Sequence, residues 1–310
     1  MLKKLFGKSE QTKQGSTPPI TQELREAIIG VVGSKSIPSM EGAAQKAFQL
    51  STDPEAKAHD FIEVIESDEG LSARIIKIAN SVYFDRGHGS KTIEESVVTI
   101  GTEELRNLLC ANSLSDIFPT SHPARAQMWK HDTAVGVVAK FLANRFLPSL
   151  ERQAFLAGLM HDVGKLLLLQ RAPGDYDFIL QKVKQGVEFR LAEEERFPFD
   201  HTEIGHVIGE KWNFSDELNQ VIRLHHRDWD ELREGGFQLA GFIKASDLIV
   251  HSLGVGFERD YVRFHNKARL KLDEVWKFLG VPAGEGRDIT KQAQQVLHQE
   301  FDLYLTEMES

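Results

Sequence analysis

Three ionisable residues stand in the middle of a strongly apolar stretch of the sequence, QAFLAGLMHDVGKLLLLQ at residues 153–170. Its composition is typical of a helix that is buried in the centre of a domain. On one continuous helix, Lys165 would lie one turn beyond both His161 and Asp162, because positions three and four apart share a face. Burying ionisable groups costs free energy unless a partner compensates them. The stretch therefore predicts a bound metal ion, or a pair of ions, beside this helix.

Further histidines and one aspartate fall on the apolar faces of other predicted helices. His131, for example, is in line with Val135 and Leu142, whereas its neighbour Asp132 is predicted to point elsewhere. The candidate metal ligands are His131, His161, Asp162, His201, His225, His226 and Asp247. Imidazole and carboxylate ligands suit divalent Fe, Mn, Zn, Co or Ni, and no thiolate is present to favour structural zinc. Fe or Mn is the favoured prediction.

Each candidate also has an ordinary structural interpretation. A lone histidine on an apolar face is usually a core residue bonded to a backbone carbonyl, and His225-His226 would suit a helix C-terminus. Asp247 would pair with a neighbouring cation, and Lys165 would reach the surface or pair with a carboxylate. Seven such residues on five predicted helices favour the metal site. The other histidines are interpreted as surface or capping residues: His59, His88, His122, His206, His251, His265 and His298.

Helical spacing of apolar residues predominates, and period-2 alternation is nearly absent, so the predicted fold is all-α. We expect a disordered tail at 1–19 and an N-terminal helical bundle at 20–122. This bundle would pack on a metal-binding helical subdomain at 123–253, and a C-terminal helical extension would follow at 254–310. The metal-binding part begins with a long helix from about Ala124 to Leu147, stopped at Pro148.

Composition limits the functional class. The net charge of −9 argues against a protein that mainly binds nucleic-acid phosphates. The single cysteine, Cys110, lies in an apolar helical pattern, predicts a packed core thiol and fits a reducing cytoplasm. The sequence has no apolar run of the ~20 residues needed to span a bilayer. We therefore expect a cytoplasmic protein with neither a nucleic-acid partner nor a membrane span.

The ordered motifs resemble a known family. IPSM, DEGLSARIIKIANSVYF, SVVTIGTEELRNLL, MWKHDTAVG, AFLAGLMHDVGKLLL, FDHTEIGHVIGEKW and IRLHH look like the successive signatures of HDOD (HD-related output domain) proteins. This family of bacterial signalling proteins falls within the HD superfamily of metal-dependent phosphohydrolases. The resemblance covers roughly residues 36–252 and implies an HD-type helical domain there.

The resemblance also implies a binuclear centre. One ion would be held by His131, His161 and Asp247, and the other by His201, His225 and His226, with Asp162 bridging them. Lys165 and Asp162 are then the candidate catalytic residues, with Lys165 placed to bind a substrate phosphate. Many HDOD proteins are thought to lack these ligands, whereas this chain keeps the full set. HD-GYP phosphodiesterases share HDVGK and HTEIG, but no Gly-Tyr-Pro segment lies between His226 and Asp247.

Three functional hypotheses stay open at this point. The first is a signalling output module with a structural or sensory metal site and protein partners. The second is a phosphohydrolase or phosphodiesterase whose ligand is a phosphate ester or nucleotide. The third is a di-iron redox or oxygen-activating protein. Oligomeric state is not predicted.

Overall fold

The computed structural model describes residues 17–33, 37, 43–53, 55–85, 87, 89–257 and 259–305. These residues form α-helices, short 3-10 turns and loops, and no strand occurs among them. The predicted all-α fold is confirmed. Most of the predicted tail, and the predicted surface residue His88, lie outside the described residues.

Contacts between helices divide the chain into two compact units. One unit comprises residues 38–119, and the other combines the described residues within 1–37 with those within 120–310. This division differs from the predicted subdomains at both ends of the chain. The first helix and the C-terminal helices belong to the unit that carries the candidate ligands.

The first part of the chain is built from short helices: α1 (Gln22–Val32), α2 (Ala43–Thr52), α3 (Ala58–Glu66), α4 (Glu69–Ala79), α5 (Ile93–Ile100) and α6 (Thr102–Ile117). The side chain of Asp68 caps α4 by accepting a hydrogen bond from the backbone of Leu71, at 2.8 Å. Thr92 caps α5 in the same way. Gly101 ends α5 with a φ of 85°, a conformation that side-chain-bearing residues rarely adopt.

The core of the 38–119 unit is apolar. Cys110 is buried in it, as predicted, and is 1% exposed. Among the described residues of this unit no Asp, Glu, His, Lys or Arg is buried. Arg106 is only half-buried, and its guanidinium donates to the carbonyls of Leu50 and Ser51 at 3.0 and 3.3 Å. Hydrophobic burial therefore accounts for this core.

The second part of the chain begins with the long predicted helix. Its helices are α7 (Ala124–Phe146), α8 (Glu151–Met160), α9 (Val163–Arg171), α10 (Pro173–Lys184), α11 (Phe189–Glu194), α12 (His201–Lys211), α13 (Asp216–Leu224), α14 (Trp229–Glu234), α15 (Gln238–Leu253), α16 (Val262–Leu270), α17 (Leu272–Phe278) and α18 (Gly286–Leu305). Helix α7 ends just before Pro148, as expected. The C-terminal helices pack within this unit, α16 against α15 and α18 against α7.

Two glycine contacts fix the helices on either side of residues 161 and 162. A Cβ on Gly158 of α8 would lie 2.7 Å from the Cα of Gly136 on α7. A Cβ on Gly164 of α9 would lie 2.0 Å from the carbonyl oxygen of His201 on α12. Since both obstacles are backbone atoms, a side chain at either glycine would push the helices apart. The glycines thus hold α8 against the helix of His131 and α9 against the helix of His201.

Candidate metal centre

A break between α8 and α9 brings His161 and Asp162 into the cluster. The predicted continuous helix over 153–170 is wrong at this point, because α8 ends at Met160 and α9 begins at Val163. Asp162 has a φ of −103° and a ψ of 14°, outside the helical range. Successive residues of a continuous helix point about 100° apart. The break lets two adjacent side chains, 0% and 2% exposed, face the same interior.

The carboxylate of Asp162 lies between two pairs of histidines. Its Oδ1 lies 3.2 Å from Nε2 of His201 and 3.7 Å from Nε2 of His225. Its Oδ2 lies 3.3 Å from Nε2 of His161 and 4.0 Å from Nε2 of His131. Each oxygen therefore faces its own pair of imidazole nitrogens.

The remaining predicted ligands extend the two sides. Oδ1 of Asp247 lies 3.0 Å from Nε2 of His131 and 3.9 Å from Nε2 of His161, on the Oδ2 side of Asp162. Nε2 of His226 lies 3.1 Å from Nε2 of His201, on the Oδ1 side. All seven residues predicted as ligands thus lie in one cluster.

Hydrogen bonds from the opposite ring nitrogen orient two of the histidines. His161 donates from Nδ1 to the carbonyl of Gly158 at 2.7 Å, and His225 donates from Nδ1 to the carbonyl of Val221 at 3.1 Å. A carbonyl oxygen only accepts, so Nδ1 carries the proton and a neutral ring has its lone pair on Nε2. In both residues Nε2 is the atom that faces Asp162. Metal-bound histidines are typically oriented in this way.

Several converging polar atoms have no hydrogen-bond partner. The buried atoms in this state include Nε2 of His131, His161 and His225, and Oδ1 of Asp162 and Asp247. Buried groups without partners are costly, and lone pairs that face one another repel. The cluster offers one set of ligand atoms within 4.8 Å of one another from Asp162, His201, His225 and His226, and another from His131, Asp132, His161 and Asp162. The donor set and its unpaired atoms fit divalent cations.

The charges of the cluster are interdependent. Burial raises the pKa of Asp162, but the charges of His161 and Lys165 outweigh burial and hold that pKa well below its usual range. Burial and the neighbouring His251 lower the pKa of His131 to about 3. Asp162 is therefore an anion and His131 a neutral imidazole at neutral pH, the forms in which they bind metals.

Lys165 lies inside the cluster and does not reach the surface. It is 3% exposed, donates to Oδ2 of Asp162, and has its Nζ 4.2 Å from the ring centroid of Phe189. Burial lowers the pKa of Lys165, but the nearby Asp162 carboxylate more than offsets this and raises it. Lys165 thus pairs with a carboxylate, which was one of the two structural alternatives for it. Its positive charge nevertheless stays beside the candidate ligands.

The interpretations of Asp132 and His251 from the sequence are wrong. Asp132, expected to point elsewhere, is 2% exposed and belongs to the ligand set with His131. Burial and the charge of Asp162 raise the pKa of Asp132 to about 7. His251, interpreted as a surface or capping residue, is 4% exposed, and its Nε2 lies 3.0 Å from Oδ1 of Asp247. It follows Asp247 by four residues, a spacing that would have revealed it.

The other histidines divide into three kinds. His59 and His298 are exposed, as predicted. His122 accepts a hydrogen bond at Nδ1 from the backbone of Ala124 at 3.1 Å, so its predicted capping role is confirmed. His206 and His265 are buried, at 8% and 5% exposure, and their surface interpretation is wrong.

Glu193 is a cluster residue that the sequence did not reveal. It is 0% exposed, and its Oε2 accepts hydrogen bonds from Nδ1 of His201 at 2.6 Å and from the same residue's backbone N–H at 2.8 Å. Burial lowers the pKa of His201, yet the Glu193 carboxylate raises it to about 9. Glu193 is one of three consecutive glutamates, and nothing in their spacing distinguishes it.

The cluster borders a cleft of ≈ 330 Å³. Lys165, His226, Asp247 and His251 contribute to its lining. Other lining residues are Trp229 from α14, Lys244 from α15, Phe264 and Lys267 from α16, and Lys271. The cleft thus joins the candidate ligands to basic and aromatic side chains, and the carboxylates of Glu188, Asp228 and Glu274 also line it.

Residues 37–228 match the model of the HDOD domain, and this segment is more than half of the 310-residue chain. The chain belongs to the HDOD family. The resemblance predicted from the motifs is confirmed. The matched segment contains six of the seven predicted ligands and ends before Asp247.

Individual relatives are distant. An uncharacterized protein of Treponema pallidum (strain Nichols) is 23% identical over 192 residues, which are 61% of this chain and 37% of that protein. The match thus spans little more than a third of that relative.

Solved structures share the fold. A protein of Shewanella amazonensis SB2B, provisionally named a phosphohydrolase, is 21% identical with a TM-score of 0.67, covering 90% of this chain and 97% of that one. An HDOD domain protein of unknown function from Geobacter sulfurreducens is 20% identical with the same TM-score, covering 91% and 94%. A protein of Marinobacter aquaeolei VT8, provisionally named a signal transduction protein, is 18% identical with a TM-score of 0.67, covering 91% and 64%.

None of the helices in the described ranges combines the length and apolar character that crossing a bilayer requires.

Proposed function

We propose that this HDOD protein acts in signal transduction and holds two divalent metal ions in its histidine–aspartate cluster. The observation that carries the proposal is the position of Asp162, whose two oxygens face different pairs of imidazole nitrogens. His131, His161 and Asp247 would hold one ion, and His201, His225 and His226 the other, with Asp162 shared. Asp132 is close enough to serve as a further ligand on the first side.

The ligand set favours Fe or Mn, while Zn, Co or Ni would also fit imidazole and carboxylate donors. Glu193 would hold His201 in the orientation that presents Nε2 to the ion, and backbone carbonyls would do the same for His161 and His225. Lys165 would balance the excess negative charge of the shared carboxylate. The proposed partners are signalling proteins, in keeping with the family and with the provisional name of the Marinobacter protein.

Metal content tests this proposal. Protein purified without added metal or chelator should contain close to two Fe or Mn ions per chain by elemental analysis. The variant Asp162→Asn should lose most of both ions, because one neutral amide replaces the charge shared by the two sides. Asp288→Asn, an exposed pair partner of Lys291 on α18, serves as a matched control and should keep both. Full occupancy in Asp162→Asn would show that this carboxylate does not bridge.

A metal-dependent phosphohydrolase acting on a phosphate ester or nucleotide is the second candidate. The cleft favours it, because Lys165 and the candidate ligands His226 and Asp247 line a space that a small molecule can enter. Two cations held by these ligands would supply Lewis-acid activation of a phosphoryl group and of water. The ammonium of Lys165 would bind and orient a phosphate oxygen. The provisional name of the Shewanella protein agrees with this candidate.

Turnover of p-nitrophenyl phosphate and of bis(p-nitrophenyl) phosphate by the metal-loaded chain tests the second candidate. Lys165→Met keeps the aliphatic stem and should leave metal content unchanged while lowering kcat/KM by about 100-fold, as for loss of one charged donor at the reacting group. Lys291→Met is the exposed control. An unchanged rate in Lys165→Met would show that this residue takes no part in the reaction. Absence of turnover in the fully metal-loaded protein would refute the second candidate and leave the signalling role as the proposed function.

A further inference from the structure

One wall of the cleft is made by residues that follow the HDOD segment. The family match ends at residue 228, whereas Lys244 lies on α15 and Phe264 and Lys267 lie on α16. This wall is therefore a feature of the chain outside the part shared with the family model. It brings lysines to the same space as Lys165.

Lys244 is a half-buried cation without a carboxylate partner. Its Nζ donates to the carbonyl of Arg227 and lies 4.5 Å from the ring centroid of Trp229. No carboxylate oxygen lies within 4.0 Å of it in the part of the chain that the structure describes. The carboxylates of Asp228, Glu274 and Glu188 act on its charge from beyond ion-pair distance. An ammonium has three N–H donors, and a partly buried charge without a directly bonded counter-ion is costly. An anion in the cleft would accept hydrogen bonds from the remaining N–H donors and compensate the charge.

Two other lysines of this wall differ in their pairing. Lys267 is exposed and forms no ion pair with the described residues. Lys271 lies 2.5 Å from Oε1 of Glu188, so its charge is already compensated. Glu274, also on the cleft, accepts a hydrogen bond from the indole N–H of Trp229 at 2.9 Å. The cations left for a ligand on this wall are therefore Lys244 and Lys267.

We propose that Lys244 and Lys267 form a second anion-binding subsite and that the cleft takes a small molecule with two phosphate groups. One phosphate lies at the cluster beside Lys165, and the other lies at Lys244 and Lys267. The cavity of ≈ 330 Å³ is at the small end of the range for small-molecule sites. This inference rests on the proposed function, because the cluster is taken to receive the first phosphate.

A matched pair of probes that cannot be hydrolysed tests the subsite. Methylphosphonate carries one anionic group, and methylenediphosphonate carries two. Isothermal titration calorimetry on the metal-loaded full chain should show that the diphosphonate binds at least about tenfold more tightly. Metal content is measured after each titration, so that removal of the ions by the diphosphonate is recognised.

The variant Lys244→Met removes the charge and keeps the stem over Trp229. It should weaken diphosphonate binding by about tenfold, as expected for one charge-assisted hydrogen bond, and leave methylphosphonate binding unchanged. Lys267→Met should act in the same direction with a smaller loss, because the side chain is exposed. Lys271→Met should have little effect, since Glu188 already neutralises Lys271. Lys277→Met, an exposed lysine of α17 that does not line the cleft, is the control.

The outcomes separate the subsite from the proposed function. If methylphosphonate binds and the diphosphonate binds no more tightly, or if Lys244→Met weakens both probes equally, the subsite is refuted while a phosphate site at the cluster stands. If Lys244→Met weakens only the diphosphonate, the subsite is supported. If neither probe binds the metal-loaded chain, both the phosphate ligand and the subsite are refuted. Melting temperatures of the variants show whether any loss reflects misfolding.

Discussion

The core of the 38–119 unit and the core around Asp162 are both made of packed helices, but they bury different chemistry. The first is largely apolar, and among its described residues no Asp, Glu, His, Lys or Arg side chain is buried. The second buries His131, Asp132, His161, Asp162, Lys165, Glu193, His201, His225, Asp247 and His251 at no more than 6% exposure. Hydrophobic burial explains the first core without further assumptions.

The second core is not explained by packing alone. Charged groups that leave water cost free energy, and mutual pairing repays this only in part. The unpaired Nε2 and carboxylate atoms show that pairing is incomplete here. The difference supports the proposal that the second core binds metal ions, at the expense of stability when they are removed. Four predictions test the comparison, in order of decreasing expected effect.

Gly164→Ala should have the largest effect. Its Cβ would lie 2.0 Å from the backbone oxygen of His201, so α9 and α12 must separate. Thermal or denaturant unfolding should show a loss of about 3 kcal/mol or more in the free energy of unfolding. Metal content should fall as well. Gly30→Ala on α1 is the control, because no atom lies within 4 Å of its Cβ position, and it should be neutral or slightly stabilising. Equal effects of the two substitutions would contradict the close crossing.

Metal removal should weaken one core and spare the other. Saturating ions at about 100 times their dissociation constant would contribute about 2.7 kcal/mol. After chelation, hydrogen exchange should therefore accelerate by up to about 100-fold in α7, α8, α9, α12 and α15. Exchange in α3–α5 should change little. An equal acceleration of hydrogen exchange in both units would contradict the proposed difference between the two cores.

Glu193→Gln should lower metal affinity by about tenfold. The amide oxygen still accepts the hydrogen bond from His201, but the carboxylate charge that raises the basicity of the imidazole is lost. Competition with a metal-binding dye gives the affinity. Glu194→Gln, the exposed neighbour, is the matched control and should bind as the natural sequence does. If both variants bind alike, Glu193 is only a packing residue.

The titration of Cys110 should have the smallest effect near neutral pH, and at higher pH it tests the burial of this thiol in the apolar core. Burial raises the pKa of this thiol from about 9 to about 12. Between these values the unfolded chain loses a proton that the folded chain keeps, so this group lowers the free energy of unfolding as pH rises. The slope is at most about 1.4 kcal/mol per pH unit. Between pH 8.5 and 10.5 the free energy of unfolding, measured with denaturant, should fall less steeply for Cys110→Ala than for the natural sequence. An identical slope would contradict the burial of the thiol.

Periodicity was sufficient to predict the class of fold and the long helix α7. It also drew attention to the seven candidate ligands, of which His131, His201 and Asp247 lie within helices. It failed at the break between α8 and α9. His161 and Asp162 lie in an apolar run that contains no proline, and the nearest glycines, Gly158 and Gly164, are two or three residues away. The local sequence therefore favours a continuous helix. The break is a tertiary effect, held by Gly158 and Gly164 through backbone contacts made with distant helices.

The missed residues have equally specific causes. Asp132 was misassigned because α7 is buried nearly all round between His131 and Ala139, which removes the polar face that an amphipathic argument needs. Glu193 is hidden among three glutamates, of which only one is buried. The cleft is formed by side chains from α14, α15 and α16, and a local sequence pattern cannot predict that these helices come together.

The boundary of the family segment at residue 228 has a consequence for divergence. Six candidate ligands are encoded before it, whereas Asp247 and the lysine-bearing wall of the cleft are encoded after it. The stretch proposed to hold the ions and the stretch proposed to select the bound molecule are thus largely separate along the chain. Replacing the second stretch would then change the recognised molecule and retain most of the proposed centre. A match that ends at residue 228 therefore reports on the proposed centre and not on the proposed ligand.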